Sequence, residues 1–402
     1  MDCTPYDAIQ RRMTLKIGID KIGFYTPHLY VDMNKLAVAR NVEPEKFTIG
    51  IGQDEMSVAP LTQDPVTLAA NAALTILDDE SREKIDLVLF GTETGIDHSK
   101  AAGIYVHRLL HLQPNARTVE LKQACYSATA AIQLAKGHIA LHPDKKVLVL
   151  ASDIARYGLN TPGEVTQGAG AVALIISANP KVMELDSKSA YVTKDIMDFW
   201  RPTYSDVAFV DGKYSNDQYI SFFHHVWKEY KEKTGLSLDD FAAVCFHLPY
   251  TKMGLKALRT VLEEGSEQLQ RQLQEKFEKS AMYSRKVGNI YTASLYLSLL
   301  SLLENDEELQ AEDRIGLFSY GSGAVGEFFS GKLQPDYRNH LEITSHQALF
   351  DSRNEITVSE YEAIFSISLP TDGTTVELNI ADDPASICLS GITAHMRQYE
   401  TK

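Results

Sequence analysis

Cysteine is scarce: the chain has four in 402 residues, at positions 3, 125, 245 and 388, and no pair of them has metal-ligand spacing. Structural zinc and a disulfide framework are therefore not expected, and no metal is. Long apolar runs are missing as well. None approaches the roughly 20 residues of a membrane span, and the segment Met1–Met13 lacks the apolar core of a secretory signal, so the reading is cytoplasmic with no membrane partner. Positive charge is short too: 39 Lys and Arg against 54 Asp and Glu leave a net charge of −15 with no basic stripe. That argues against nucleic acid as a partner, and any anionic ligand must meet a local basic patch. What is present, 44% hydrophobic and 23% charged residues, is ordinary soluble composition, enough for two or three domains or one large duplicated α/β unit.

The chain reads as two related halves. Lys84–Gly91, Lys145–Ala151 and Ala169–Ser177 are continuous apolar runs of strand length, the pattern of strands buried on both faces of a mixed or parallel sheet. The second half repeats the plan with strands at Ala242–His247 and Arg314–Ser319 and a glycine-rich return at Gly321–Phe329. Helices at Ala124–Ala140 and Asn289–Leu303 each open on polar residues and turn apolar nearly all round, which places them centrally. From Glu93 to Cys125 is 32 residues and from His247 to Asn289 is 42. The excess falls in the charged stretch Glu263–Lys279, which reads as a solvated insertion. Residues 184–240 read as a polar and aromatic connection, and Thr374–Ile380 as an edge strand in a final segment that is otherwise hard to read.

Cys125 stands where a polar approach, Glu120–Gln123, gives way to small residues with helical spacing. A thiol at a helix start meets unpaired N–H groups and the positive end of the dipole, so its pKa is expected to fall. Small neighbours (Ala124, Ser127, Ala128) leave room for a long, thin ligand. If the halves pack as pseudo-symmetric partners, Glu93, Cys125, His247 and Asn289 converge, and a nucleophile, two acid/base groups and an amide make an acyl-transfer site. Taken singly, Glu93 is equally a loop acid, His247 a strand-end histidine and Asn289 a helix N-cap.

The same segments resemble 3-hydroxy-3-methylglutaryl-CoA synthases of the bacterial type, in the thiolase superfamily. The resemblance runs over about residues 14–335 and rests on Gly91–Thr94, Ala124–Tyr126, Ala151–Tyr157, Thr166–Ala173, Asp198–Pro202, Val210–Gly212, Phe246–Tyr250, Gly288–Thr292 and Phe318–Gly323. It implies an α/β, thiolase-like duplicated αβαβα layered fold with two pseudo-symmetric halves. Residues 14–183 would carry Glu93 and Cys125, and residues 184–402 the connection, His247 and Asn289. Residues 1–13 would be an N-terminal extension, native or not, that the family pattern lacks. Acetyl-CoA would acetylate Cys125, Glu93 would take a proton from the acetyl methyl, and His247 would polarise the ketone of acetoacetyl-CoA. Backbone N–H groups of Cys125 and the Ser322 loop are candidates to hold the enolate oxygen, and Glu93 suits as base only if burial raises its pKa. Asn289 and Ser322 would face the acetoacetyl portion. Tyr126, Tyr157, Asp153 and Asp198 would line the cavity, the two aspartates being equally readable as structural acceptors. Glu43, Thr166 and Ser215 would touch the CoA chain. Lys252 and Lys256, one helical turn apart, would clamp its phosphates unless they are simply a solvated face. No cofactor is implied, and the family state is a homodimer.

Two departures from the family pattern stand out: Glu43 replaces an aspartate, and Thr161–Glu164 replaces a two-glycine turn. Among rivals, a ketoacyl-carrier-protein synthase of the third type needs no Glu93. A thiolase needs a second cysteine, for which Cys388 has the wrong, polar setting. A non-catalytic thiolase-fold subunit would leave four polar site residues unexplained.

Overall fold

The computed structural model describes residues 15–402, so the expected extension over 1–13 lies outside the described residues. A mixed sheet of ten strands forms the frame. Nine of them, in chain order, are β1 (Ile17–Tyr25), β2 (Ile85–Gly91), β3 (Arg117–Leu121), β4 (Lys146–Ala155), β5 (Gly168–Ala178), β6 (Met183–Leu185), β7 (Ala243–Phe246), β8 (Arg314–Gly321) and β9 (Val325–Leu333). Their spatial order is β3-β2-β4-β5-β1-β6-β9-β8-β7, with Ala190–Thr193 also paired to β9. The duplication is written in this order. In the first half β2 runs parallel to β4, and β4–β5 and β5–β1 are antiparallel. In the second, β7 runs parallel to β8, and β8–β9 and β9–β6 are antiparallel. Strands β2 and β7, which end just before Glu93 and His247, therefore occupy equivalent places.

The main helices are α1 (Ser127–Leu141), α2 (Gly212–Thr234), α3 (Thr251–Arg259), α4 (Glu267–Val287) and α5 (Ser294–Asn305). The apolar runs of the strands are sorted by alternation. Val147, Val149 and Ala151 of β4, with Ala243 and Cys245 of β7, turn to one core shared with α1 and α5. Leu148 and Leu150 turn outward to the helices at Pro65–Leu74 and Ala102–Leu109. Val244 and Phe246 turn outward to α2 and α3. The result is five layers, helices outside, sheet, α1 with α5, sheet, helices outside. Thr129 of α1 and Tyr296 of α5 share a hydrogen bond of 2.6 Å at the centre. Each fully buried leucine of α5, such as Leu299 or Leu302, contributes about 1.5–3 kcal/mol.

Three sequence expectations change. The central helices begin later than expected, at Ser127 and, after a short 3₁₀ turn at Tyr291–Ala293, at Ser294. Glu263–Lys279 is no solvated insertion: most of it belongs to α4, whose Glu267, Arg271, Glu275 and Lys279 face water while Leu273, Phe277 and Ala281 are buried. The charges mark one face of an amphipathic helix, and read as a run they hid the other. The connection over 184–240 is also more than a link, because Tyr219, Phe222, Phe223, Trp227 and Tyr230 of α2 build the outer core of the second half. The expected edge strand survives as Val376–Glu377, paired to Ile387–Thr393. Among the described residues, no helix is long and apolar enough to cross a membrane.

Candidate active site

The turn after β2 carries Glu93, and one carboxylate shapes it. Asp153, at the equivalent depth of β4 and fully buried, accepts on Oδ1 from Thr92 Oγ1 (2.9 Å), Glu93 N (2.7 Å), Thr94 N (3.0 Å) and Thr94 Oγ1 (2.9 Å). Its Oδ2 accepts from Thr292 N (3.0 Å) and Thr292 Oγ1 (2.6 Å), ahead of α5. Asp153 thus has both oxygens engaged by donors of the protein itself. It pins the Glu93 turn of the first half to the second half. Asp153→Asn sets an NH₂ group against donors. At about 1.5–3 kcal/mol for each charge-assisted bond, it should lower stability by on the order of 3 kcal/mol in urea titration. A loss under about 1 kcal/mol would show that the hub is dispensable.

Cys125 sits on a tight turn between β3 and α1, preceded by Ala124 in the left-handed region at φ 44° and followed by the N-cap Tyr126. The opposing strand end has to come very close. A Cβ on Gly321 would lie 2.6 Å from the Tyr126 backbone nitrogen, so only glycine fits there. The thiol donates to Glu93 Oε1 at 3.1 Å. The expected fall in its pKa is not found. Burial first, and then the adjacent Glu93 carboxylate, push the thiol well above its ordinary value. The helix begins two residues too late for its dipole to prevail over a negative neighbour in contact. Burial, reinforced by Asp153, also lifts Glu93 to about 8. The thiol thus keeps its proton near neutrality while the carboxyl ionises around 8, and the two titrate as a pair.

The second half supplies neutral groups. His247, at 2% exposure, is driven down to about 3 by burial, so its ring is uncharged. Its backbone is fixed by His247 N donating to Phe318 O (2.8 Å) and by Tyr219 OH donating to His247 O (2.7 Å). Its Nδ1 has no hydrogen-bond partner among the described residues. Asn289 is not the N-cap of α5. Its Oδ1 accepts from Tyr291 N and Ser294 Oγ, both at 2.9 Å, which leaves the amide N–H₂ on the side of the Tyr157 hydroxyl. Tyr157, Phe199 and Tyr291 pack edge to face as an aromatic wall, with centroids 5.9–6.0 Å apart. Gly163, kept in the altered turn, lies against the Tyr157 ring, where a Cβ would come within 2.8 Å.

The remaining expected residues sort by their bonds. Asp198 is buried and engaged, accepting from Tyr320 OH (2.8 Å), Ser215 Oγ (3.2 Å) and Gly323 N (2.9 Å). It therefore braces the Ser322 loop, and Ser215 is joined to that brace. Ser322 O accepts from Gln123 Nε2 at 3.2 Å, which ties the loop to the Cys125 turn. Tyr126 sends its hydroxyl to buried Glu327 (2.6 Å). Thr166 bonds Gly163 O, and its carbonyl accepts from Asn289 N (3.1 Å). Glu43 is exposed just ahead of the helical segment Lys46–Ile51, whose Ile51 O accepts from Thr251 Oγ1 (3.0 Å) at the start of α3. On α3, Lys252 is half-buried and Lys256 exposed, with its Nζ on Tyr250 OH (3.0 Å). Neither lysine pairs with a carboxylate among the described residues. Cys388 is buried against Gln63 and Ala385, in a separate environment. No cluster fit for a metal occurs among the described residues. Sequence reasoning missed Arg201, which donates through Nη2 to Glu93 O, and Thr292. Both lie in segments that carried the resemblance.

Comparison with known proteins bears on this arrangement. The model of the hydroxymethylglutaryl-coenzyme A synthase N-terminal domain matches residues 13–181, and that of the C-terminal domain matches residues 182–275 and 259–369. The hydroxymethylglutaryl-CoA synthase of Enterococcus faecalis is 53% identical over 385 residues, 96% of this chain and 100% of that one. A crystal structure of HMG-CoA synthase complexed with CoA superposes with a TM-score of 0.94 at 46% identity, covering 96% of this chain and 100% of that one. MvaS in complex with 3-hydroxy-3-methylglutaryl coenzyme A superposes with a TM-score of 0.88 at 34% identity, covering 97% and 100%.

Proposed function

The chain belongs to the hydroxymethylglutaryl-coenzyme A synthase family, and from that premise we propose how its own residues run the reaction. The enzyme is an acyltransferase. It joins acetyl-CoA, acetoacetyl-CoA and water into 3-hydroxy-3-methylglutaryl-CoA and CoA, a product whose usual context is the mevalonate pathway. The observation that carries the residue assignment is the 3.1 Å contact of Cys125 with Glu93, and neutral His247 and Asn289 of the second half are assigned to the same site.

In the form with Glu93 ionised, Cys125 attacks the acetyl thioester while its proton passes to the Glu93 carboxylate and on to the departing CoA thiolate. Glu93, again a carboxylate, then removes a proton from the acetyl methyl. A base with a pKa near 8 is well matched to neutral or mildly alkaline conditions. The enolate oxygen is held by the N–H groups of Cys125 and Ser322, since Gly323 N is committed to Asp198. The enolate carbon attacks the acetoacetyl ketone, the uncharged His247 ring donates a hydrogen bond to the developing alkoxide with Asn289 beside it, and the alkoxide takes up the proton that Glu93 removed. Water then cleaves the thioester to Cys125 and restores the thiol. Intact mass after acetyl-CoA alone, followed by product analysis after acetoacetyl-CoA is added, tests the scheme. An enzyme that makes product without an acetyl adduct would overturn it.

Lys252 and Lys256 are the cations we assign to the CoA phosphates, at a rim shared with Glu43, Thr166 and Ser215. Replacing both with alanine should raise KM for both esters, flatten its dependence on salt, and leave the saturated rate nearly intact, because remote phosphate contacts bind ground and transition states alike. A loss of saturated rate with KM unchanged would move them out of that role. We read residues 14–183 and 184–402 as the two pseudo-symmetric halves. Family membership further supports a homodimer acting in the cytoplasm.

A further inference from the structure

Between the halves runs a short hairpin, Phe199–Trp200 paired with Phe209–Val210 and stiffened by Trp200 stacked on Phe209 at 5.9 Å. Its root is fastened mainly to the second half: Asp198 holds Tyr320 and Gly323, and the Phe199 ring packs on Tyr291 as well as on Tyr157 of the first half. Its next residue but one past Phe199, Arg201, reaches the first half and donates to the carbonyl of Glu93. Arg201 has no carboxylate within salt-bridge distance among the described residues, although the chain carries 54 acidic side chains. Its charge is therefore left facing the Glu93 turn.

We propose that Arg201 is a positioning residue for the condensation. It fixes the Glu93 turn through the backbone carbonyl and supplies the cationic field in which the Glu93 carboxylate works. The proposal rests on Glu93 being the base. The titratable and charged groups facing Glu93 are Asp153 from β4, Cys125 from its turn, Tyr157 beyond β4, Tyr291 ahead of α5, and Arg201. Among them Arg201 is the only cation. Asp153 and burial oppose ionisation of Glu93, and Arg201 favours it. A guanidinium stays charged at every working pH, so this support is constant, and the hairpin that carries it is anchored to the loop that holds the enolate oxygen.

The test uses enzyme already acetylated with acetyl-CoA. Two rates are followed from pH 6.5 to 9.5: condensation, and deuterium uptake into the acetyl methyl in D₂O without acetoacetyl-CoA. In Arg201→Gln, acetylation should still reach completion. The rising limb of both rates should move up by about one pH unit, with exchange slowed on the order of tenfold at pH 7.5 and largely recovered at pH 9.5. Arg201→Lys, which keeps the charge, should keep the limb of the native enzyme. Arg201→Met serves as a second neutral variant should the glutamine form fail to fold. A limb unmoved in the neutral variants, or moved as far in Arg201→Lys, overturns the proposal. Glu93→Gln run in parallel separates the two readings. A limb that persists there overturns Glu93 as base and this proposal with it. A limb lost there but unmoved in Arg201→Gln overturns Arg201 alone.

Discussion

Cys125→Ser is expected to lose the acetyl adduct entirely and turnover by on the order of 10⁴-fold or more. The size of the effect follows from the site's electrostatics. The resting sulfur already carries its proton, held there by burial and by the Glu93 carboxylate. A thiol can still react, because Glu93 at 3.1 Å takes that proton as the bond to carbon forms. A hydroxyl is several units less acidic, so the same carboxyl is a far poorer base toward it. The exchange is nearly isosteric and the turn it sits on is set by Ala124 and Gly321, so the melting temperature should hardly change. Intact mass after acetyl-CoA, with peptide mapping, reads the result. A label remaining in the serine variant would mean that Cys125 is not the acceptor.

The second large effect is expected from Glu93→Gln. The amide keeps a hydrogen bond to the sulfur but cannot accept a proton from the acetyl methyl, so condensation should fall by about 100 to 10,000-fold. Acetylation should slow less, since the leaving CoA thiolate can itself receive the sulfur's proton. The native enzyme should also gain rate as pH rises through about 8, where Glu93 ionises, and that limb should vanish in the variant. Single-turnover measurements on pre-acetylated enzyme separate the two steps. An effect below tenfold on condensation would hand the base role to another group.

Much of this was legible in the sequence, and the reasons are local. The apolar runs that became β2, β4, β5, β7 and β8 are buried on both faces, so composition alone marks them. The glycine-rich return into β9 and the small residues of α1 report close approach of backbones. What escaped was everything set by contact between distant segments. The rise in the thiol's pKa comes from burial and then from a carboxylate 32 positions earlier, whereas the sequence displayed only the helix that follows. Asp153 gathers donors from residues up to 139 positions away, so no window around it shows that both its oxygens are spent. Arg201 stands in a quoted segment, yet nothing nearby says that its partner is the Glu93 carbonyl. In α4 a linear count of charges concealed a face that only helical periodicity separates.

The equivalence of β2 with β7 carries a consequence for how the enzyme discriminates between its two esters. Matching positions in the related halves have taken opposite characters: an ionisable carboxyl and thiol in the first, an uncharged imidazole and amide in the second. Under the proposed roles, the donor ester is handled by one half and the acceptor ester by the other. Remodelling around His247 and Asn289 can retune which ketone is accepted while the acyl-carrying machinery stays untouched, and changes around Glu93 and Cys125 can do the reverse. An ancestral repeat with identical ends would have had to bind both esters with one set of side chains. With unlike ends on the two halves, the proposed scheme has two specificities that can vary separately.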